Sequence, residues 1–235
     1  FSIFFGKKTQ SRLSVRFFSR DRQVFSSIIK TGFPSLIRQG LTSISTMVLN
    51  GQAGIYGDAA VAAMAIVNRI CFFLFAVGLG IGQGFQPVSA FNFGAKKYSR
   101  VRKAFRFTLG AGELCLGSLA VIGFFLSSQL VGWFRNDPAV IEIGTFALRA
   151  QLLTLFLQPM AVCANMMFQS IGKNGTASFL AMLRSGICFI PVIFLLPRLL
   201  GLTGVEVSQT VADFLTFVIT VPFVVQFFQH LPNDD

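Results

Sequence analysis

The sequence predicts an all-α membrane protein, a six-transmembrane-helix bundle, on three observations. Charged residues make up 12% of the chain against 53% hydrophobic, with 29 Phe, whereas soluble domains carry about a quarter charged residues. Several apolar runs approach or exceed the roughly 20 residues that cross a bilayer as a helix. The basic residues cluster beside those runs rather than within a polar surface, as positive-inside bias requires.

One stretch orders the rest. Gly78-Leu79-Gly80-Ile81-Gly82-Gln83-Gly84-Phe85-Gln86-Pro87 leaves an apolar run, passes through alternating glycines and leads through Phe91-Asn92-Phe93-Gly94-Ala95 to Lys96 and Lys97. A phosphate-cradling loop would need Lys-Ser or Lys-Thr after the last glycine, and a dinucleotide fingerprint would need a strand before and a helix after. Neither is present. Glycines at the end of a membrane helix instead let neighbouring helices approach closely, and the stretch reads as the cytoplasmic end of a span.

In chain order, Phe1-Ser2-Ile3-Phe4-Phe5 reads as the tail of a preceding helix rather than a signal peptide, so the chain is expected to belong to something longer. Lys7, Lys8, Arg12, Arg16, Arg20, Arg22 and Lys30, against Asp21 alone, read as a cytoplasmic linker. Residues 1–31 are thus the preceding helix end and linker, 32–230 a six-helix lobe and 231–235 a cytoplasmic tail. Gly32-Phe33-Pro34 opens the first span with proline in the first turn, where its absent N–H is harmless. That span, about 32–50, is polar (Arg38, Gln39, Thr42, Ser43, Ser45, Thr46), so part of it should face protein or water.

The second span is expected over 59–82, followed by a long inner loop at 83–103; six basic residues lie between Lys96 and Arg106. The third runs about 105–131, the fourth 140–168, the fifth 176–199 and the sixth 207–229. Outer turns hold only Arg135 and Arg198, while Lys173 joins the inner basic residues. Both termini are therefore expected in the cytoplasm.

Composition also excludes classes. The net charge of +11 is used at membrane flanks, and little soluble surface remains for nucleic acid. Cys71, Cys115, Cys163 and Cys188 fall in different spans without a Cys-x-x-Cys pair, and His230 is the sole histidine, so no metal site or disulfide framework is indicated. No serine has a partner histidine and the acids are scattered, so no catalytic residues are assigned and enzyme activity is not expected.

Polar groups inside the spans are the better lead, because a charge in hydrocarbon is costly and faces a cavity or a partner. Asp213 is the acid to test first, with Arg69 and Arg149 as candidate charged partners or path-lining groups. Gln39, Asn68, Gln158 and Asn165 can line a cavity for amphipathic solutes, although such amides also join helices. Pro159 and Pro191 interrupt spans and free carbonyls, a recurrent feature of transporter sites.

In this order the features resemble the C-terminal lobe of a multidrug and toxic compound extrusion (MATE) transporter of the bacterial multidrug branch. Gly32-Phe33-Pro34-Ser35, Gly80-Ile81-Gly82-Gln83-Gly84-Phe85-Gln86-Pro87 with Asn92-Phe93-Gly94-Ala95, Gln169-Ser170-Ile171-Gly172-Lys173-Asn174-Gly175 before Arg184, and Gly201-Leu202-Thr203-Gly204-Val205 before Val211-Ala212-Asp213 carry it. The resemblance implies one lobe of a twelve-helix, two-lobe protein in the bacterial cytoplasmic (inner) membrane. It implies alternating access and efflux of small lipophilic cations, driven by H+ or Na+ influx with no other cofactor. Its partners would be the bilayer and a missing N-terminal lobe, or a second copy as homodimer. Some members place cation-binding carboxylates on the first and fourth helices of this lobe. Here Thr42 and Ser43, then Phe156 and Met160, occupy those regions, so that site is expected to be absent and coupling would rest on the other lobe or on Asp213. The rivals are a flippase for lipid-linked sugars, which should carry inward basic residues where only Arg69 and Arg149 are read as deep, and a non-transporting membrane fragment.

Overall fold

The computed structural model describes residues 21–232. The readings for Phe1–Phe5, for the basic residues from Lys7 to Arg20 and for the last three residues lie outside them. Everything regular among the described residues is helical. The first helix, α1 (Arg22–Gly54), starts ten residues earlier than its apolar pattern suggested, because Asp21 caps it. The Asp21 carboxylate accepts the backbone N–H of Gln23 at 2.9 Å, one of the donors a helix start leaves free. Pro34 therefore lies inside α1 and not in its first turn.

Helices α2 (Asp58–Gly94) and α3 (Tyr98–Phe134) each have 37 residues, about 55 Å at 1.5 Å per residue. Both are longer than a bilayer core is thick. The expected inner loop over 83–103 is overturned: α2 continues through Pro87 to Gly94, and only Ala95–Lys97 separates it from α3. The one hydrogen bond lost at Pro87 is tolerated because tertiary packing holds the helix there, with Phe85 and Ser89 on either side buried in the bundle. The turn itself closes with Lys96 N–H donating to Phe93 C=O (3.0 Å) and Lys97 N–H to Asn92 C=O (2.9 Å), a Schellman motif. Lys96 holds the left-handed position, at φ 57°.

The fourth span is two helices, α4 (Pro138–Leu155) and α5 (Gln158–Ser170), broken at Phe156-Leu157. The Asp137 carboxylate caps α4 by accepting Ala139 N–H at 3.1 Å. The ring of Pro159 excludes the carbonyl four residues back, that of Leu155, which is where α4 ends. The fifth span repeats this logic. Between α6 (Asn174–Met182) and α7 (Phe189–Leu200) lies one π turn, Leu183–Ile187, closed by Cys188 N–H on Leu183 C=O at 2.9 Å. Pro191 excludes the carbonyl of Ile187, and the extra residue of the π turn absorbs the mismatch. Helix α8 (Leu202–Gln229) follows after Gly201 alone, whose φ of 63° suits glycine.

Five of the six helical spans are long and apolar enough to cross a membrane; α1 is the more polar sixth. Helix α5 is the centre, buried at nearly every residue and packed on α2, α3, α6 and α8. The glycine stretch is the reason α2 fits there. A Cβ on Gly82 would stand 2.6 Å from Val162 of α5, and one on Gly78 2.9 Å from Leu116 of α3. Gly80 and Gly84 meet nothing within 4 Å. Only alternate glycines, one helical turn apart, make the close contact. At the end of the bundle that carries the α2–α3 turn, Phe85, Phe93, Phe105, Phe168, Phe227 and Phe228 join through edge and stacked contacts of 5.1–6.4 Å, so part of the Phe excess is bundle core.

Candidate functional site

Both breaks aim polar side chains at one acid. Gln158 is the first residue of α5, Arg184 lies in the π turn, and Asp213 faces them from α8. Arg184 Nε donates to Asp213 Oδ1 at 2.8 Å, and Gln209 Nε2 donates to the same oxygen at 2.9 Å. Gln158 Nε2 donates to Oδ2 at 2.9 Å, with Arg184 Nη2 at 3.5 Å. The Asp213 side chain is 2% exposed and that of Arg184 25%. On its other side the guanidinium lies 4.5 Å from the ring centre of Phe75 on α2. A buried carboxylate is stable only when its lone pairs are met, and here each oxygen has two donors.

Beside this cluster is a cavity of about 170 Å³ lined by Arg38, Gln39, Thr42, Asn68, Phe75 and Arg184 among others. A recess of about 50 Å³ adjoins it and adds Gln158 and Asn165. Arg38, Thr42, Phe75, Leu79, Arg184 and Ser185 line both. The hydroxyls of α1 explain how a polar span survives in a membrane: Thr42 and Thr46 donate to the carbonyls four residues back at 2.8 and 2.9 Å. Ser45 bonds the backbone carbonyl of Ser185, holding α1 against the π turn. Asn68 Nδ2 donates to Thr46 Oγ1 at 3.3 Å.

Of the residues singled out from sequence, Gln39 and Asn68 line the larger cavity, and Gln158 and Asn165 the recess. Asp213 lines neither and stands one layer behind, reached through Arg184. Arg149 is turned away: its Nε donates to Ser127 Oγ at 2.9 Å and its guanidinium lies over Phe124. Arg69 is exposed on α2 and lines neither cavity. The partner of Asp213 is Arg184, 29 residues away in sequence. Arg38 takes the other basic position on the wall, with Nη1 donating to Asn165 Oδ1 at 3.1 Å. Sequence depth could not identify these two arginines, because packing sets the rotation of each helix about its axis: the π turn directs Arg184 inward, while Arg38 on the unbroken α1 reaches Asn165 of α5. Arg184 seven residues before Pro191 was the available signal.

Six helical spans, two of them interrupted beside a polar cavity, are the architecture of half a multi-pass membrane transporter. The chain belongs to the MatE family, whose profile matches residues 34–195. It is 29% identical over 214 residues to the multidrug export protein MepA of Staphylococcus saprophyticus, covering 91% of this chain and 47% of that protein. To MepA of Staphylococcus aureus strain NCTC 8325 it is 30% identical over 219 residues, covering 92% and 48%. The chain therefore spans about half the length of these relatives, and the match falls on their C-terminal half. Its fold is that of an outward-facing MATE family multidrug resistance transporter (TM-score 0.87, 21% identity, 97% of this chain and 52% of that one). A MOP superfamily transporter from Pyrococcus furiosus shares it too (TM-score 0.89, 19% identity, 97% and 52%).

Proposed function

We propose that this chain is the C-terminal lobe of an antiporter that exports lipophilic drugs, organic cations among them, by alternating access, driven by influx of H+ or Na+. Its setting is a bacterial cytoplasmic membrane with both termini inside, and it works with an N-terminal lobe or with a second copy of itself. The observation that carries the reading is the convergence of two proline-broken spans on Asp213 behind an aromatic and amide-lined cavity. Fixed hydrogen bonds from Gln158 and Arg184 tie both interrupted spans to α8 while the carboxylate is charged. A cation arriving at Asp213 competes with Arg184 for the same oxygens. Displacing Arg184 unties the two breaks, the places where the bundle bends most cheaply. Coupling in this lobe thus means exchanging an internal cation for an external one. Among the described residues no carboxylate lines either cavity wall, and the resemblance puts Thr42, Ser43, Phe156 and Met160 where some members carry acids.

The test is ethidium efflux from cells expressing this chain alone and together with a MATE N-terminal lobe, each repeated with Asp213→Asn. Efflux that needs the second lobe and is lost in the variant supports a half-transporter coupled through Asp213. Efflux by the chain alone supports a homodimer. Absence of efflux in every combination, with protein present in the membrane, refutes the reading in favour of a non-transporting fragment. A flippase for lipid-linked sugars is the second reading, favoured by Arg38 and Arg184 on the cavity wall; translocation of a labelled lipid-linked sugar in vesicles separates it.

A further inference from the structure

The wall charge of the cavity is positive, and this has a consequence for what it holds. Arg38 and Arg184 both line the cavity and its recess, and among the described residues no Asp or Glu lines either. Arg184 is neutralised from behind by Asp213, using two of the five guanidinium N–H groups. Arg38 has no acidic partner within ion-pair distance among the described residues, whose ion pairs are Arg135–Asp137 and Arg184–Asp213. One of its N–H groups reaches Asn165 Oδ1, and that contact brings no negative charge. The remaining N–H groups of both arginines have no protein acceptor among the described residues. Around them stand hydrogen-bond donors on Gln39, Asn68 and Gln151 and an apolar floor of Phe72, Phe75 and Phe189.

We infer that this lobe's cavity binds the anionic head of an amphipathic molecule, a carboxylate, sulfonate or phosphate held between Arg38 and Arg184 with its apolar body against Phe72 and Phe75. Guanidinium forks match such oxyanions two N–H groups at a time. An uncompensated guanidinium in a poorly solvated wall both attracts an anion and repels a cation. Organic cations are then met by the other lobe, and acidic or zwitterionic amphipaths become a substrate class of their own. The inference rests on the export reading only for the ligand's being cargo.

The experiment is a fluorescence titration of the chain in phosphatidylcholine nanodiscs with three matched dyes: dansylglycine (anionic), dansylamide (neutral) and dansyl-ethylenediamine (cationic). Dansylglycine should bind at least about tenfold more tightly than the cationic dye, the factor expected for charge-assisted hydrogen bonds. Arg38→Gln should remove that preference and leave dansylamide unchanged, while Arg38→Lys keeps most of it. Inorganic sulfate should displace dansylglycine but not dansylamide from the unsubstituted chain, which tests the site even if a variant fails to fold. Replacing half the lipid by phosphatidylglycerol distinguishes the sources. Lost dansylglycine binding identifies a lipid headgroup as the occupant and unchanged binding a free solute, and either supports an anion site. Equal binding of the anionic and cationic dyes, or an anion preference that survives Arg38→Gln in a folded protein, overturns it. Because binding is read without transport, such a result leaves export standing. Intact binding without efflux does the reverse.

Discussion

The costs of losing Arg184 and of losing Asp213 should not add, because the two side chains form one buried pair. In Arg184→Gln the Asp213 carboxylate stays in place, 2% exposed, with the amides of Gln158 and Gln209 as its remaining donors. Leaving a fully buried charge without its partner costs about 3–5 kcal/mol. Arg184 is 25% exposed toward the cavity, so solvent recovers part of that, and about 2–4 kcal/mol is expected. Asp213→Asn leaves the guanidinium facing the cavity and Phe75 and should cost less, about 1–2 kcal/mol. The double variant removes the buried charge altogether, so its loss should fall short of the sum of the singles by about 2 kcal/mol. Thermal unfolding of the purified chain in detergent, followed by helix content, measures all three. At about 2–4 °C per kcal/mol for a chain this size, Arg184→Gln should unfold roughly 4–16 °C earlier, and the double variant should unfold no earlier than Arg184→Gln. Additive losses would refute the argument, since independent contributions would mean that Arg184 and Asp213 do not act as a pair.

The two classes of glycine in α2 should separate cleanly. Gly82→Ala places a Cβ 2.6 Å from Val162 and should cost about 1–3 kcal/mol, whereas Gly80→Ala meets open space and should be neutral or stabilising by up to about 1 kcal/mol. Equal unfolding temperatures for these variants would count against the packing of α2 on α5. Gly204→Ala should be worse than either, because its Cβ runs into the backbone of Leu196 and Pro197, which cannot swing aside as a side chain can; loss of folded protein on size-exclusion chromatography is the expected result. At the α2–α3 turn Lys96 occupies a left-handed position at φ 57°, so Lys96→Gly should raise stability by about 1 kcal/mol, visible as a small rise in unfolding temperature.

Much of the architecture was legible in the sequence because membranes simplify the code. A lipid-exposed backbone must bond to itself, so an apolar run of span length is a helix, and five such runs with the more polar α1 give six spans. The glycine stretch as a close-packing segment, and Pro159 and Pro191 as breaks, followed from the same local chemistry; which glycines make the contact, Gly78 and Gly82, only the structure decided. The rule that failed was a local one. The sequence puts Pro34 in a first turn and Pro87 in a loop, yet α1 and α2 run through both, because packing against the bundle outweighs one lost hydrogen bond.

What sequence alone determined was membership of the membrane class, the number of spans and the set of polar residues that had to be accommodated. What only the tertiary structure decided was which of those residues meet. Asp213 could have paired with any arginine at similar depth; it pairs with Arg184 because the π turn before Pro191 adds a residue to that span and turns the side chain toward α8. Arg38 faces the cavity and Arg69 does not because α1 and α2 present different faces to α5 and α6. A helix fixes the spacing of its side chains along its own axis, but rotation about that axis is set by its neighbours. The charge of the cavity wall depends on that rotation.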